Sequence, residues 1–518
     1  MNLFKIESYR KGIAISSSFN FIAKIIAFAN SIVVAYYFGT QGKTDVYLYS
    51  FATVTLISAF LTNLNGLVLI PESMRIREQE GLLNSMYFLN WFIFVFLIIG
   101  VIFSFILFLN PVKAFIFFSK FDPILLSNNI SILLYVIPML ILIVLSSLLT
   151  EILVSFKYFT LPMIAGMINS IFSIAFIFIF HSSLDILSIT TGLLVGFLLN
   201  VILLLILLKS QLNWKFYLKK IRISGLVFRN IFYAQAGNVS TVLGTYVPLY
   251  LISGFNQGII TALNYGRNIS NIPDQLITTQ FSSIFGIKLN EVYASRELSK
   301  TNEIFLRSVN MLFFILVPIG IIMSFFSTEI VTILYMRGKF DQTSVDLTSD
   351  FLRYFAITIP FLALNTLASR VITAGQKINI NFYIGIAMNF LFLILLFIFI
   401  NIFGPIGYPI ALLIYLPIST LIVNYFVFKR FFNYIKYFEV VELLLKILAL
   451  NLVIGLPCFF LYRFFFSNIN MLIAIPIICT IFLSILILFN NYFIINEEII
   501  ILQKKIVKML RKIYFNRN

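Results

Sequence analysis

Few side chains in this sequence could do chemistry, and most of them stand inside apolar runs where lipid is expected. Lys24 lies well inside the first run, followed by Asn30. Arg267 and Asn268 share an unusually polar run with Asn264, Asp274, Gln275 and Gln280. Glu151, Asn169, Asn238 and Arg370 are scattered through other runs, and Asp45 opens the second one behind a glycine turn. A charged group at the centre of a membrane helix costs about 2.5–3.5 kcal/mol on insertion scales, so such groups generally face a cavity or a partner. Together these residues outline a hydrophilic, net cationic cavity between the first and second groups of six spans. Each residue also has a plainer role open to it: lone asparagines tie neighbouring helices together by hydrogen bonds, and Arg353 and Lys446, near helix ends, can snorkel.

Other chemistries lack their parts. The one histidine, His181, sits at a helix end, and both cysteines, Cys458 and Cys479, lie within apolar runs, where thiols act as small packing groups. There is no glycine-rich phosphate loop after a strand, no carboxylate pair on one face and no nucleophile elbow. Transport is favoured over catalysis, and no cofactor or metal is expected; a coupling ion stays open.

The elements that must position these residues are helices. The chain has 518 residues, 60% hydrophobic and 11% charged, with mean hydropathy +1.01, whereas a soluble domain carries about 25% charged residues. Apolar blocks of roughly 20 residues match the bilayer, and in hydrocarbon the backbone must satisfy its own hydrogen bonds. The expected fold is an all-α polytopic membrane protein of about fourteen transmembrane helices, in two six-helix lobes plus two C-terminal helices. The divisions fall at 1–208 (spans one to six), 209–233 (a basic linker), 234–428 (spans seven to twelve) and 429–518 (spans thirteen and fourteen with a basic tail). Among the expected spans are Val46–Ile70, Leu263–Phe285 and Ser308–Leu334. Spans seven and eight are the most polar. The first block, from Ile13, lacks a small-residue cleavage site and reads as a retained span rather than a signal peptide.

The formal charge of +17 is distributed as membrane topology is written, not as a nucleic-acid face, for which no soluble platform is visible. With the N-terminus (Lys5, Arg10, Lys11) in the cytoplasm, the even-numbered connections hold most of the lysine and arginine, from Arg75 and Arg77 to the tail beyond Lys504. The positive-inside rule then places both termini in the cytoplasm. The linker 209–233, with Trp214 among its basic residues, is either a helix lying on an anionic leaflet or a plain basic connection. A faint internal echo links the turn at Gly39 and Thr44-Asp45 with that at Gly254 and Gln257-Gly258, each at the head of a six-span half, as in transporters built from repeats.

Four stretches carry a resemblance to a known family. They are Phe38-Gly39 with Thr44-Asp45, ahead of the second span and its closing Pro71-Glu72; Ala262-Leu263-Asn264-Tyr265-Gly266-Arg267 with Pro273; Arg337-Gly338-Lys339-Phe340; and Ser369-Arg370-Val371 with Ala374. In these, and in Asn169 of span five, the chain resembles the MurJ/MviN family of lipid II flippases, within the multidrug/oligosaccharidyl-lipid/polysaccharide exporter superfamily. The resemblance implies a two-lobed transporter of the bacterial inner membrane. It would move an undecaprenyl-pyrophosphate-linked saccharide from the inner to the outer leaflet by alternating access, through a cavity lined by Lys24, Asn30, Asp45, Glu151, Asn169, Asn238, Arg267, Asn268 and Arg370. Implied partners are the lipid-linked saccharide, membrane lipids and enzymes of cell-envelope synthesis, with no nucleic acid.

The sequence departs from that family at several cations. Lipid II flippases keep an arginine where Lys24 stands and an Arg-Asp pair where Asn30 and Ser31 stand. They have another arginine at about Ser58 or Ala59, and one that aligns with Asn268 rather than Arg267. Lysine holds a phosphate without arginine's bidentate fork, so the implied saccharide is lipid II or a related surface-polysaccharide precursor. Alternatives are an ion-coupled exporter of amphipathic small molecules, a membrane-embedded glycosyl- or acyltransferase, and a non-transporting scaffold for cell-envelope synthesis.

Overall fold

In a computed structural model, residues 9–219, 223, 225–295, 297–467, 469–493, 496 and 500 are described. Lys5, Lys220, Arg222 and the basic tail from Lys504 lie outside them. The described residues form helices joined by turns and short irregular stretches, with no strand among them. They form α1 (Tyr9–Phe38), α2 (Gly42–Leu64), α3 (Ile70–Glu80), α4 (Leu82–Leu109), α5 (Pro111–Phe118), α6 (Pro123–Asn128) and α7 (Ile130–Val136). Next come α8 (Met139–Ser155), α9 (Thr160–Leu184), α10 (Leu187–Leu212), α11 (Gly225–Ile252), α12 (Ile259–Pro273), α13 (Thr279–Ala294) and α14 (Leu298–Phe325). The chain continues through α15 (Ser327–Tyr335), α16 (Gln342–Ala374), α17 (Ile378–Phe403), α18 (Gly407–Pro417), α19 (Asn424–Phe431), α20 (Tyr437–Leu461) and α21 (Met471–Phe493).

Eleven stretches among the described residues are long and apolar enough to cross a membrane. One of them, Asn379–Phe431, contains two helical arms: it breaks at Gly404, and α17 packs against α18. Helix α11 and the α12–α13 pair fall short on hydropathy, and these are the two spans that the sequence marks as most polar. Short π-helical turns at Asn65–Leu69, Asp274–Thr278 and Ile418–Val423 each lie beside a proline, Pro71, Pro273 and Pro417. Proline cannot donate to the helical ladder, so the hydrogen-bond register shifts beside it without ending the helix.

Helix ends differ most from hydropathy where polar turns extend an apolar run. Helix α14 begins at Leu298 rather than Ser308, and α13 continues to Ala294, because the flanking polar residues still suit a helix that projects beyond the lipid. The linker corrects one of its two readings: at 213–219 the chain is not helical, and Trp214 is buried.

Contacts divide the chain into two compact units, Met1–Asn264 with Tyr335–Ser344, and Tyr265–Leu334 with Val345–Asn518. In the first unit α9 packs on both α1 and α10, and α2 packs on α8 and α11. The α9–α10 contact is close because Gly192 and Gly196 face it: a Cβ on Gly196 would stand 2.7 Å from Asn169 Cα. This is the small-xxx-small solution to packing helices in lipid, where apolar side chains gain little by leaving one another for the bilayer. In the second unit α14 packs on α13 and α20, and α20 on α21.

The connections sort themselves by parity. Within the first unit, the first, third, fifth, seventh and ninth connections meet at one end. Lys43 pairs with Asp185, the Tyr49 and Tyr246 hydroxyls both donate to the Phe118 carbonyl, and Lys120 N–H donates to Ser253 Oγ at 2.7 Å. Even-numbered connections meet among themselves: Arg77 lies 4.4 Å over the Phe156 ring, and Phe156 meets Trp214 edge-on at 6.2 Å. The second unit repeats this, with Lys436 N–H donating to Asn302 Oδ1 at 2.8 Å.

Candidate functional site

The best-defined polar site in the first unit is made by three turns. After α1 the chain turns at Gly39, and Asp45 sits in the first turn of α2, 1% exposed. Its carboxylate accepts from Gly258 N–H at 2.5 Å, Thr261 N–H at 2.7 Å and Thr261 Oγ at 2.6 Å. It therefore caps α12 across more than two hundred residues of sequence. Free N–H groups and the positive end of the helix dipole make such an N-terminus a natural seat for a carboxylate, and the bonds to it are charge-assisted. The glycine turns that echo one another in sequence are thus also in contact: a Cβ on Gly258 would lie 2.8 Å from the Thr40 carbonyl oxygen.

The third turn, Arg337-Gly338-Lys339-Phe340, closes the group. Lys339 N–H donates to the Tyr36 carbonyl at 2.8 Å, and the Thr40 and Ser344 hydroxyls are 2.6 Å apart. Asp341 accepts from Ser344 Oγ at 2.7 Å, Ser344 N–H at 2.9 Å and Thr343 Oγ at 2.8 Å. The bonds from Ser344 and Thr343 hold its carboxyl below the usual carboxylate range. Gly39 and Gly338 both have positive φ, +57° and +60°, and a Cβ on either would run into a carbonyl oxygen, that of Lys339 or Tyr36 respectively. Gly39→Ala or Gly338→Ala is therefore expected to cost about 1–2 kcal/mol for the left-handed conformation alone, with the collision added. Thermal melting of the purified chain should drop for either variant, while Gly66→Ala, where a Cβ meets nothing within 4 Å, should melt at or above the wild-type temperature.

A second polar group lies further along α2. Asn63 Nδ2 donates to Asn238 Oδ1 at 2.6 Å, Asn238 Nδ2 to the Ala59 carbonyl at 3.3 Å and Gln235 Nε2 to the Phe60 carbonyl at 2.5 Å. Asn65 reaches Ser147 Oγ on α8 at 3.1 Å. Asp45 and Asn238 thus belong to different places on the α2–α11 seam: Asp45 and Asn63 stand about 27 Å apart along α2 at 1.5 Å per residue.

Of the other expected residues in the first unit, Lys24 is exposed on α1, while Asn30, Glu151 and Asn169 are half-buried. The Oδ1 atoms of Asn30 and Asn169 are enclosed without a hydrogen-bond partner among the described residues. In the second unit Arg267 and Asn268 are half-buried on α12, and Arg370 is exposed at the end of α16, its stem facing Gly286 of α13. No ion-pair partner of Lys24 or Arg267 stands among the described residues. Thr261, Gly258, Thr40 and Ser344 escape a sequence reading because small polar groups in turns look alike until their partners are placed; the echo between the Gly39 turn and the Gly258 turn is the one available hint.

Comparison with known proteins places this arrangement. The family described as "Lipid II flippase MurJ" matches residues 34–499. A probable lipid II flippase MurJ from Borreliella burgdorferi is 22% identical over 490 residues, 91% of this chain and 94% of that protein. One from Aquifex aeolicus is 24% identical over 410 residues, covering 76% and 78%. Among solved structures, a lipid II flippase MurJ in an inward closed conformation superposes with TM-score 0.76 at 21% identity, covering 92% of this chain and 99% of that one. An inward-facing multidrug transporter of the MATE family superposes with TM-score 0.64 at 13% identity, covering 81% and 98%. These structural likenesses concern the fold. The family match, spanning nearly the whole chain, establishes that this multi-pass membrane protein is a transporter rather than an enzyme and belongs to the MurJ lipid II flippase family.

Proposed function

We propose that the chain moves lipid II, or a closely related undecaprenyl-pyrophosphate-linked saccharide, from the inner to the outer leaflet of a bacterial inner membrane by alternating access. The observation that carries this reading, beyond family membership, is that Lys24 and Arg267 lie in membrane helices with no ion-pair partner among the described residues. A buried or lipid-level cation needs an anion, and a pyrophosphate supplies one that arrives and leaves with the cargo. The saccharide cannot cross hydrocarbon unaided, while its polyprenyl tail can remain in lipid. The three-turn cluster at Asp45 is the latch that holds one end of the path closed, and both termini face the cytoplasm. Asn30 and Asn169, with Glu151, Asn268 and Arg370, supply polar lining within their own units, and Asn238 ties α11 to α2.

The test is direct. Full-length protein in vesicles should expose fluorescent lipid II to an external probe, and its expression should rescue a strain depleted of its own lipid II flippase. Transfer of another undecaprenyl-pyrophosphate oligosaccharide alone would move the substrate to a surface-polysaccharide precursor. Export of an amphipathic cation with no saccharide transfer would overturn the proposal. Reporters fused after Lys300 and Arg430 should read cytoplasm, and those near Lys120, Gln257 and Lys339 the outside.

A further inference from the structure

At the opposite end of the first unit from the Asp45 latch, one asparagine holds a piece of linker in place. Helix α10 ends at Leu212, and Asn213 takes the left-handed conformation, φ 49° and ψ 41°. The chain then passes α4, where Asn90 is 4% exposed. Asn90 Oδ1 accepts from Trp214 Nε1 at 2.7 Å, and its Nδ2 donates to the carbonyls of Lys215 at 2.6 Å and Tyr217 at 3.1 Å. With the Trp214 indole buried, the next five side chains, Lys215, Phe216, Tyr217, Leu218 and Lys219, are all exposed.

The depth of this segment follows from α4. All of α4 is uncharged, but its amide side chains end at Asn90: from Trp91 to Leu109 the helix carries neither a charge nor an amide and rises about 28 Å at 1.5 Å per residue. This is close to the ~30 Å thickness of the hydrocarbon core. Asn90, one residue before that run, is therefore at the edge of the hydrocarbon, and the backbone it holds lies at the level of the lipid headgroups. Aromatic residues favour that level, and lysines near it are drawn to anionic lipid. Acidic side chains of α3, Glu78 and Glu80, are exposed in the same part of the unit; Glu72 is bound to Arg75.

We propose that Lys215–Lys219 is a docking site for anionic phospholipid headgroups, built by the Asn90 amide. Its apolar centre, Phe216 to Leu218, enters the interface, and the two flanking lysines contact the phosphates. This assignment does not depend on the transported substrate. Full-length protein with Tyr217→Cys, in a Cys458→Ser and Cys479→Ser background, would carry an environment-sensitive fluorophore at position 217. Reconstitution in vesicles of phosphatidylcholine alone, or with phosphatidylglycerol added, should give a blue shift that is larger with the anionic lipid. Each lysine contributes about fivefold to the preference for anionic lipid, so Lys215→Gln with Lys219→Gln should remove most of the difference. Asn90→Ala should free the segment and reduce the shift in both vesicles. An equal shift in the two lipids, or a difference that survives the double lysine substitution, would overturn the proposal. So would its loss on adding inorganic phosphate at constant ionic strength, since that would identify a free-phosphate site.

Discussion

Asp45→Ala is expected to be among the most damaging substitutions in the first unit, lowering its stability by about 3–5 kcal/mol. It would strand two backbone N–H groups and one hydroxyl, each costing about 1–3 kcal/mol when buried without a partner, and would remove the carboxylate from the N-terminus of α12. Asp45→Asn keeps one acceptor oxygen and should lose roughly half as much. The measurement is thermal melting of the purified full-length chain. An Asp45→Ala protein that melts with the wild type would show that the cap contributes little. Transport separates a latch from a mere cap. If the turns hold one end of the path closed, Asp45→Asn should remain folded yet flip substrate at an altered rate, with Thr261→Val shifting the rate in the same direction.

Loss of transport in Lys24→Met is the second large effect. Methionine keeps most of the apolar length and suits a membrane helix, so the protein should insert and accumulate normally. What it loses is a charge-assisted bond to phosphate of about 1.5–3 kcal/mol, equivalent to a ten- to hundredfold slower rate. Lys24→Arg should retain transport, because a guanidinium binds phosphate at least as well. Arg267→Gln is expected to behave like Lys24→Met. Flipping in reconstituted vesicles, normalised to the amount of protein inserted, gives the answer. Full activity of both Lys24→Met and Arg267→Gln would remove these two residues from the substrate site and leave the fold and family untouched.

Enclosed polar atoms without a partner occur both among the expected lining residues and among the interhelical ties. Asn63 bonds Asn238, and Asn238 and Gln235 bond helix carbonyls, as interhelical ties do, while Gln235 also keeps an enclosed Oε1 without a partner among the described residues. Asn30 and Asn169 keep an enclosed Oδ1 with no donor among the described residues, and an enclosed acceptor of that kind costs free energy unless water or cargo meets it.

Much of this protein was determined by sequence alone, because lipid leaves the backbone no choice but to bond to itself. The apolar runs specify helices, and their number and alternation follow from where the charges sit; the parity of the connections, read from lysine and arginine, agrees with the way the connections meet in the structure. Even the weak hydropathy of α11 and α12 was legible, since their asparagines, glutamines and threonines interrupt the apolar pattern. Only the tertiary structure decided what those polar groups touch. Asp45 lies in one turn and Gly258 and Thr261 in another, and nothing in local periodicity encodes a bond between them; the packing of α2 on α11 brings them together. Trp214, readable as a membrane-surface residue among lysines, is instead buried because Asn90 on a distant helix offers its indole an acceptor. A hydrogen bond has a range of about 3 Å, so its partner is specified by how helices pack, whereas the cost of polar backbone in hydrocarbon acts on every residue of a span and is written along the chain itself.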